Sequence, residues 1–274
     1  MNRSMINATN TMTQLQQRLD LVGSNLANIN TVGYKKRDAS FSDMLYQQIN
    51  NQSDEASEPG RKTPLGIRQG AGALLSQTKL VTTQGSLQET GRQLDVALTN
   101  PNTFFQVQKD NDGTVETYYT KNGSFHLTPL ENGEVQLVNT DGNPVLDSEG
   151  NTISFSTDFR ELQINKAGEL TVVSNEGNEI FALGLTRVNR PQSLEAVGSS
   201  LFRVPNALNQ ENGVQNLQGD ERAGAGIQQG FLEQSNVDMS KEITDMTLTQ
   251  RAYQFNSQSI SIADQMMGLV NSIR

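Results

Sequence analysis

Few side chains in this sequence could support catalysis. Among 274 residues there is one histidine, His126, and no cysteine, which excludes disulfides, thiolate metal sites and thiol catalysis. His126 stands between Phe125 and Leu127 in an alternating pattern that is typical of a β-strand, where a lone histidine is far more often structural than catalytic. A Ser-His-Asp triad would need this histidine, and no GxSxG motif accompanies it. The sequence therefore predicts no catalytic residues and no enzyme.

Two short motifs resemble ion-binding loops. Asp110–Gly113 looks like the start of a calcium loop, but the EF-hand spacing and its closing Glu are missing, so a hairpin turn is the better interpretation. Ala223–Gly226 lacks the Lys-Ser/Thr end of a phosphate-binding loop and the helix that would follow it. We expect no metal ion and no cofactor. Paired carboxylates stay open, because any two of the 30 acidic residues could meet in the fold.

The charge balance argues against a nucleic-acid partner. The formal net charge is -9, and phosphate binding depends on a concentrated positive face. One short basic run, Lys35–Arg37, is expected to be a solvated patch. No stretch approaches about 18 consecutive apolar residues, so no direct membrane span is predicted. The first residues also lack the solid apolar segment of a cleaved signal peptide.

The first element that the sequence predicts is a helix from Met1 to Ile29. Its apolar residues repeat every seven positions in two sets that lie four residues apart, which is the spacing of a helix–helix seam. The sets are Met1, Ala8, Leu15, Val22 and Ile29, and Met5, Met12, Leu19 and Leu26. Gly33 lies just beyond them, where a glycine commonly ends a helix.

The last predicted element is a helix from about Ser240 to Ile273 with apolar residues on two sides. The first seam consists of Met246, Tyr253, Ile260 and Met267, joined by Ala263 and Val270. The second seam consists of Leu248, Phe255, Ile262 and Leu269, flanked by Ala252, Met266 and Ile273. Residues two apart on an α-helix point about 200° away from each other, so the seams lie on opposite sides. Both sides must be covered, and the N-terminal helix can cover only one.

Between the helices, from roughly residue 70 to residue 234, the pattern is that of short strands separated by turns. The expected strands are Thr103–Lys109, Val115–Thr120, Ser124–Thr128, Val135–Asn139, Leu162–Ile164, Leu170–Val173, Ile180–Val188 and Leu201–Val204. Dipeptides such as Asn122-Gly123 and Asp141-Gly142 favour tight turns between them. The stretch Asn50–Pro64 has the composition of a flexible linker.

These patterns predict an α+β fold. A discontinuous, coiled-coil-like domain of terminal helices would combine residues 1–30 with 236–274. Residues 31–69 would form an extended connector, and residues 70–235 a central antiparallel β-rich domain. The two helices could merely pack against each other as a stalk. The second seam of the C-terminal helix favours partner chains as well.

Seven stretches of the chain form recognisable motifs, namely Ser24–Lys35 (SNLANINTVGYK), Phe41 to Gln47, Thr90–Leu98, Phe104–Val107, Tyr119–Phe125, Gly230–Asp238 and Gln250–Ser257. Through them the chain resembles the flagellar basal-body rod and hook protein family, and is nearest to its distal rod members. The motifs are spread along nearly the whole chain. Distal rod, other rod paralogues and a rod–hook junction protein all fit this pattern. The resemblance implies terminal helices that line a helical tube, with the β-rich domain facing outward.

The resemblance also implies a structural role in the bacterial flagellum. We expect a basal-body rod subunit that polymerises into the axial drive shaft and export channel. Its partners would be copies of itself, other rod and hook subunits and the flagellar export apparatus, through which it would leave the cell without a cleaved signal peptide. The expected assembly interface comprises Leu15, Leu19, Leu26, Asn28, Gly33, Tyr34, Asn236, Met246, Tyr253, Phe255, Ile260 and Met267.

Two rival functions stay open from the residues themselves. An exported β-rich hydrolase would bring two or three carboxylates together in a cleft of the central region. An adhesin on a helical stalk would form a closed dimer or trimer at all concentrations. A rod subunit would instead form open oligomers, because its contacts are heterologous and do not close.

Overall fold

A computed structural model describes residues 2–43, 47–49, 67–70, 73–111, 113–131, 133–175, 177–198, 200–204 and 213–272 of the chain. The linker predicted at Asn50–Pro64 lies outside these residues.

The two predicted terminal helices are present. Helix α1 covers Asn2–Ala27, and helix α2 covers Met239–Ser272. After α1 the chain turns through residues 28–33, and Gly33 has a φ of 70° that favours glycine. Glu242 lies in the first turn of α2, where a carboxylate interacts favourably with the helix dipole.

Twenty strands lie between the helices in the described residues. In chain order they are β1 Arg37–Asp43, β2 Gln47–Ile49, β3 Ile67–Gln69, β4 Ala73–Leu80, β5 Leu87–Glu89, β6 Val96–Leu98, β7 Thr103–Asn111, β8 Thr114–Thr120, β9 His126–Pro129, β10 Glu134–Val138, β11 Ser154–Ser156, β12 Phe159–Ile164, β13 Glu169–Ser174, β14 Asn178–Ala182, β15 Leu185–Val188, β16 Glu195–Ala196, β17 Leu201–Arg203, β18 Val214–Asn216, β19 Ile227–Gln229 and β20 Phe231–Glu233. Short 3₁₀ helices cover Pro191–Ser193 and Gly219–Ala225.

The sheets are small. The largest has six strands in the order β16-β17-β8-β7-β15-β18, and two others have three strands each, β11-β10-β9 and β12-β13-β14. Two-stranded pairs are β1-β4, β2-β3, β5-β20 and β6-β19. Each pairing with a described register is antiparallel, as the sequence predicts.

Two adjacent aromatic residues on β7 face two separate hydrophobic clusters. Successive side chains of a strand point to opposite faces. Phe105 therefore joins the main core, where its ring lies edge-on to Phe125 at 5.1 Å. Phe104 points the other way, into a smaller cluster, and meets Phe202 edge-on at 5.8 Å. A doublet of phenylalanines thus contributes to both sides of one sheet.

One predicted strand is divided in two. The sequence predicts a single strand over Ile180–Val188, whereas the structure has β14 and β15, with Leu183 and Gly184 between them. The Gly184 amide donates to the Leu146 carbonyl at 2.7 Å, and its carbonyl accepts from the Gln106 amide at 2.9 Å. A Cβ at this position would lie 2.8 Å from two backbone oxygens. This close approach interrupts the strand.

The chain divides into two compact units. One comprises Met1–Ser24, Asp38–Lys79 and Ser240–Arg274, and the other comprises Asn25–Arg37 and Leu80–Met239. The first contains most of both helices and of the β1-β4 pair. The second contains the central β-rich region, the last three residues of α1 and the first residue of α2. Residues 31–69, predicted as one connector, are therefore shared between the units.

Candidate assembly surface and helix junction

One side of α2 is exposed and apolar. The second seam, here called the exposed stripe, consists of Leu248, Phe255, Ile262 and Leu269, which are 57%, 69%, 48% and 65% exposed. Met266 extends it and is also exposed, and so is Val270 near the end of the first seam. Large apolar side chains that recur at this spacing form a continuous strip along the helix. A contiguous exposed apolar strip of this kind marks an interaction site.

The other side of α2 is more covered. Met246, Tyr253, Ile260 and Met267 of the first seam are half-buried, and Ala263 beside them is buried. Four of the residues expected to make subunit contacts therefore lie on the covered side, namely Met246, Tyr253, Ile260 and Met267. Phe255 lies on the exposed one. The predicted difference between the two sides of this helix is present in the structure.

Helix α1 has its predicted apolar side turned inward. Leu15, Leu19 and Leu26 are half-buried, and Val22 is buried. The polar residues of this helix contact the nearby β-structure: the Leu75 amide donates to Gln14 Oε1 at 2.7 Å, and Asn7 Nδ2 donates to the Gly70 carbonyl at 2.9 Å.

The turn after α1 is closed by one buried amide. Asn25 is 1% exposed, and its Oδ1 accepts hydrogen bonds from Tyr34 Oη and from the Arg37 amide, each at 3.1 Å. Its Nδ2 donates to the Arg37 carbonyl at 2.9 Å. Asn28 adds a bond inside the turn, because its Oδ1 accepts from Thr31 Oγ1 at 3.1 Å. The segment Asn25–Arg37 is therefore held in one conformation.

Gly33 lies directly against the backbone of the β-rich unit. Its amide donates to the Glu233 carbonyl at 2.8 Å. A Cβ at this residue would lie 2.5 Å from the backbone nitrogen of Asn122. Its positive φ disfavours other residues as well. Two independent constraints therefore require glycine at this position.

A buried ion pair joins the segment that follows α1 to the segment that precedes α2. Lys35 Nζ lies 2.6 Å from Glu233 Oε1, and both side chains are 1% exposed. Lys35 also donates to the Thr83 carbonyl at 2.9 Å, and Glu233 Oε1 accepts from the Gly85 amide at 2.9 Å. Burial lowers the pKa of Lys35, while the charge of Glu233 opposes that change. We call this ion pair the latch.

The latch corrects one expectation from the sequence. Lys35 is not part of a solvated basic patch, and Lys36 and Arg37 are half-buried. The sequence-based reasoning failed because the partner of Lys35 is 198 residues away along the chain. The sequence did contain a signal, because the motif Ser24–Lys35 carries the positive charge of Lys35 and the motif Gly230–Asp238 carries the negative charge of Glu233.

Asn236 completes the contact between the two ends. Its Oδ1 accepts from the Lys36 amide at 2.8 Å. Its Nδ2 donates to the Val81 and Thr83 carbonyls at 2.8 and 2.9 Å. Gly33, Tyr34 and Asn236, which the sequence suggested as assembly residues, are thus brought together inside the chain. We call the set formed by Asn25–Arg37, residues 80–86 and residues 233–236 the junction.

A second buried lysine borders the junction. Lys121 is 1% exposed, donates to the Asn100 carbonyl at 2.7 Å and lies 5.4 Å from the centre of the Phe104 ring. Burial lowers its pKa from 10.5 to about 7; the charge of Glu233 opposes this change and that of Lys35 adds to it. Sequence reasoning missed Asn25, Glu233 and Lys121, because single polar residues carry no sign of burial.

Other candidate chemistry is sparse in the described residues. They contain no group of three or more His, Asp or Glu side chains that could hold a metal ion. His126 is exposed, and its Nδ1 lies 3.2 Å from Arg92 Nη2. The Asp110 carboxylate accepts from the Gly113 amide at 2.9 Å, as in a turn. Neither helix, within the part of the chain described, is long and apolar enough to cross a membrane.

Comparison with known proteins gives a consistent set of similarities. The family described as flagella basal body rod protein matches residues 5–35, the flagellar hook protein FlgE/F/G D1 domain matches residues 97–172, and the flagellar basal body rod FlgEFG protein C-terminal family matches residues 228–273. The chain is 43% identical over 279 residues to the flagellar hook-basal body complex protein FlhP of Bacillus subtilis, with 100% of both chains covered.

Two further relatives share the same name. The chain is 33% identical to the flagellar basal-body rod protein FlgG of Borreliella burgdorferi, with 100% of this chain and 99% of the relative covered. It is also 33% identical to FlgG of Bacillus subtilis, with 97% of each chain covered. The N-terminal family match ends at residue 35 and the C-terminal match begins at residue 228, so both include residues of the latch.

Proposed function

The chain belongs to the flagellar basal-body rod protein family and is a structural rod subunit close to the FlgG proteins, and from this premise we propose that it polymerises through its terminal helices. The polymer is the axial drive shaft, and its lumen is the export channel. The two helices pair in a coiled-coil-like manner around that lumen.

The observation that carries this proposal is the exposed stripe of α2. Phe255 and Leu269 are more than half exposed in the isolated chain, and burying such side chains contributes about 1.5–3 kcal/mol each. The first seam is already half-buried within the chain. On this proposal the open seam packs against a different surface of the next copy, and such heterologous contacts extend into a filament and do not close into a dimer.

The partners and the route follow from the same proposal. The neighbours along the rod are copies of this chain and other axial proteins, namely rod and hook subunits. The subunit reaches the basal body through the flagellar export apparatus. The family is structural, and we assign no enzymatic activity to the chain.

Gene deletion with electron microscopy of isolated basal bodies tests the proposal. The deletion strain is expected to lack complete rods and to be non-motile. Intact rods and hooks with normal motility would overturn the axial role.

A matched pair of substitutions then tests the exposed stripe. The deletion strain is complemented with Phe255→Asp or with Gln254→Asp, since both positions are exposed on the same helix. A charge at residue 255 is expected to abolish rod formation, because it would be buried against an apolar neighbour without a partner. The Gln254→Asp variant is expected to restore motility. If both variants restore it equally, the stripe is not an assembly surface.

A further inference from the structure

The end of α1 and the start of α2, here called the roots of the two helices, belong to the β-rich unit. The last three residues of α1 and the first residue of α2 lie in this unit, together with the whole junction. At the junction, Gly33 is bonded to Glu233, Lys36 to Asn236, and the Val81 amide to the Lys36 carbonyl at 2.9 Å. Three segments that are distant in the sequence therefore converge where α1 ends and α2 begins.

The latch adds a charged contact to these hydrogen bonds. Removing one partner from a buried ion pair is strongly destabilising, because the remaining charge keeps its desolvation cost and loses its compensation. Glu233 is sensitive in this respect: among the described residues, its second oxygen, Oε2, has no hydrogen-bond partner. The carboxylate thus depends on Lys35 and on the Gly85 amide for its stabilisation.

The backbone segments of the junction are closely packed against one another. Gly85 approaches the Gln234 carbonyl so closely that a Cβ could not be placed there. Gly33 also lies close to the backbone of Lys121 and Asn122, where a Cβ would be 2.6 and 2.5 Å from the nearest atoms. The Gln234 amide donates to the Ser86 carbonyl at 2.9 Å on the same side. A displaced Lys35 or Glu233 therefore moves the backbone segments as well as its own side chain.

The main hydrophobic core of the β-rich unit does not depend on these residues. That core is built from strands such as β7, β8 and β13 and contains Phe105, Tyr118 and Leu170, each fully buried. Neither Lys35 nor Glu233 is part of it. Loss of the latch is thus expected to loosen the junction while the core stays folded.

We propose that the buried Lys35–Glu233 latch is a conformational device that holds the roots of both terminal helices in the orientation that assembly requires. The inference rests on the proposed function, since it concerns helices that polymerise. Lys35 and Glu233 act as positioning residues: both side chains are 1% exposed, and they fix the last residues of α1 and the first residue of α2 within the β-rich unit. Part of the role of the motifs Ser24–Lys35 and Gly230–Asp238 is then to form contacts within a single chain.

Hydrogen exchange of the purified full-length chain tests the latch without any assembly. Glu233→Gln keeps the shape of the side chain and removes its charge. The reporters are the amides of Gly33, Val81 and Gln234, which bond across the junction. We expect them to exchange about 10- to 100-fold faster than in the unaltered chain, while the amides of β7 and β8 keep their rates.

The matched control removes a carboxylate from an exposed ion pair. Glu195 lies 3.0 Å from Arg203, and their side chains are 54% and 43% exposed. Glu195→Gln is expected to leave all three reporter amides unchanged. If the Glu233→Gln variant also leaves them unchanged, or if the amides of β7 and β8 accelerate to the same extent, the latch proposal is overturned.

A double variant tests whether the two residues act as a pair. Lys35→Met and Glu233→Gln are each expected to accelerate exchange, and their combination is expected to accelerate it less than the product of the single effects. If the two effects multiply, the residues act independently and the proposal fails.

Complementation of the deletion strain then separates this proposal from the proposed function. Glu233→Gln is expected to fold and be exported but to give no complete rods, whereas Glu195→Gln gives normal rods. Normal rods from a chain with a loosened junction would refute the positioning role and leave the proposed function intact. The exposed stripe is judged separately, by Phe255→Asp.

Discussion

Truncation of Phe255 to Ala is the most direct quantitative test of the exposed stripe. The side chain is 69% exposed in the isolated subunit, so its removal leaves no cavity in the fold. Surface substitutions of this kind change the free energy of unfolding by about 0.5 kcal/mol or less. We therefore expect the chemical denaturation curve of the variant to overlay that of the unaltered chain.

Self-association should respond quite differently. Full burial of a phenylalanine contributes about 1.5–3 kcal/mol, and 69% of this side chain is available for burial by a neighbour. The loss per contact is then about 1–2 kcal/mol, which corresponds to a dissociation constant raised roughly 5- to 30-fold. Partial burial in the assembly would place the effect at the lower end of that range.

Sedimentation of the purified chain over a concentration series measures this effect. The matched control is Gln254→Ala, which truncates the neighbouring exposed residue on another side of the helix. The control is expected to associate like the unaltered chain. The reasoning would be wrong if Phe255→Ala lowered the free energy of unfolding by about 2 kcal/mol or more, since Phe255 would then be packed within its own subunit. Unchanged association of a stable variant would also contradict it.

Three further predictions concern stability. Gly33→Ala should lower the free energy of unfolding by about 1–3 kcal/mol, because the φ of Gly33 is 70° and the neighbouring backbone is close. Gly142→Ala should lower it by less, because Gly142 has a φ of 80° but open space around it. Equal thermal shifts of the two variants would contradict this prediction. Because Lys121 has a pKa of about 7 instead of 10.5, the unfolded chain binds more protons between those values, so stability should rise with pH across that range by up to about 1.4 kcal/mol per pH unit. Denaturation at pH 7 and 9 should show this rise, and Lys121→Met should flatten it; a Lys121→Met variant with the same slope would refute the assignment. Arg222→Ala should lower the free energy of unfolding by about 2–4 kcal/mol, because buried Arg222 donates to four backbone carbonyls. Arg203→Ala should lower it much less in the same assay, because the Arg203 side chain is 43% exposed.

Periodicity alone located both helices, and the eight predicted strands correspond to nine of the twenty strands in the described residues. Seven-residue repeats define α1 and α2 to within a few residues, because a helix that buries one side must repeat its apolar residues at that spacing. The division of Ile180–Val188 into two strands was not predictable. It results from Gly184 approaching the backbone of residues 146 and 147, a contact that leaves no local pattern in the sequence.

The candidate site was predicted unevenly. The two apolar seams of α2 could be read from the spacing, and exposure of Phe255 together with half-burial of Tyr253 agrees with a difference between the two sides. The spacing could not tell which seam is open, because both are equally apolar. That choice depends on what else in the chain lies against the helix.

The sequence by itself determined the family, the two terminal helices and the antiparallel β-rich region between them, since local periodicity, turn residues and motifs carry that information. Only the tertiary structure decided the role of Lys35, which looks like part of a solvated basic run and is instead buried against Glu233. The physical reason is distance along the chain. A charge is tolerated in the interior only when a partner compensates it, and the fold brings that partner to Lys35 from 198 positions away along the chain.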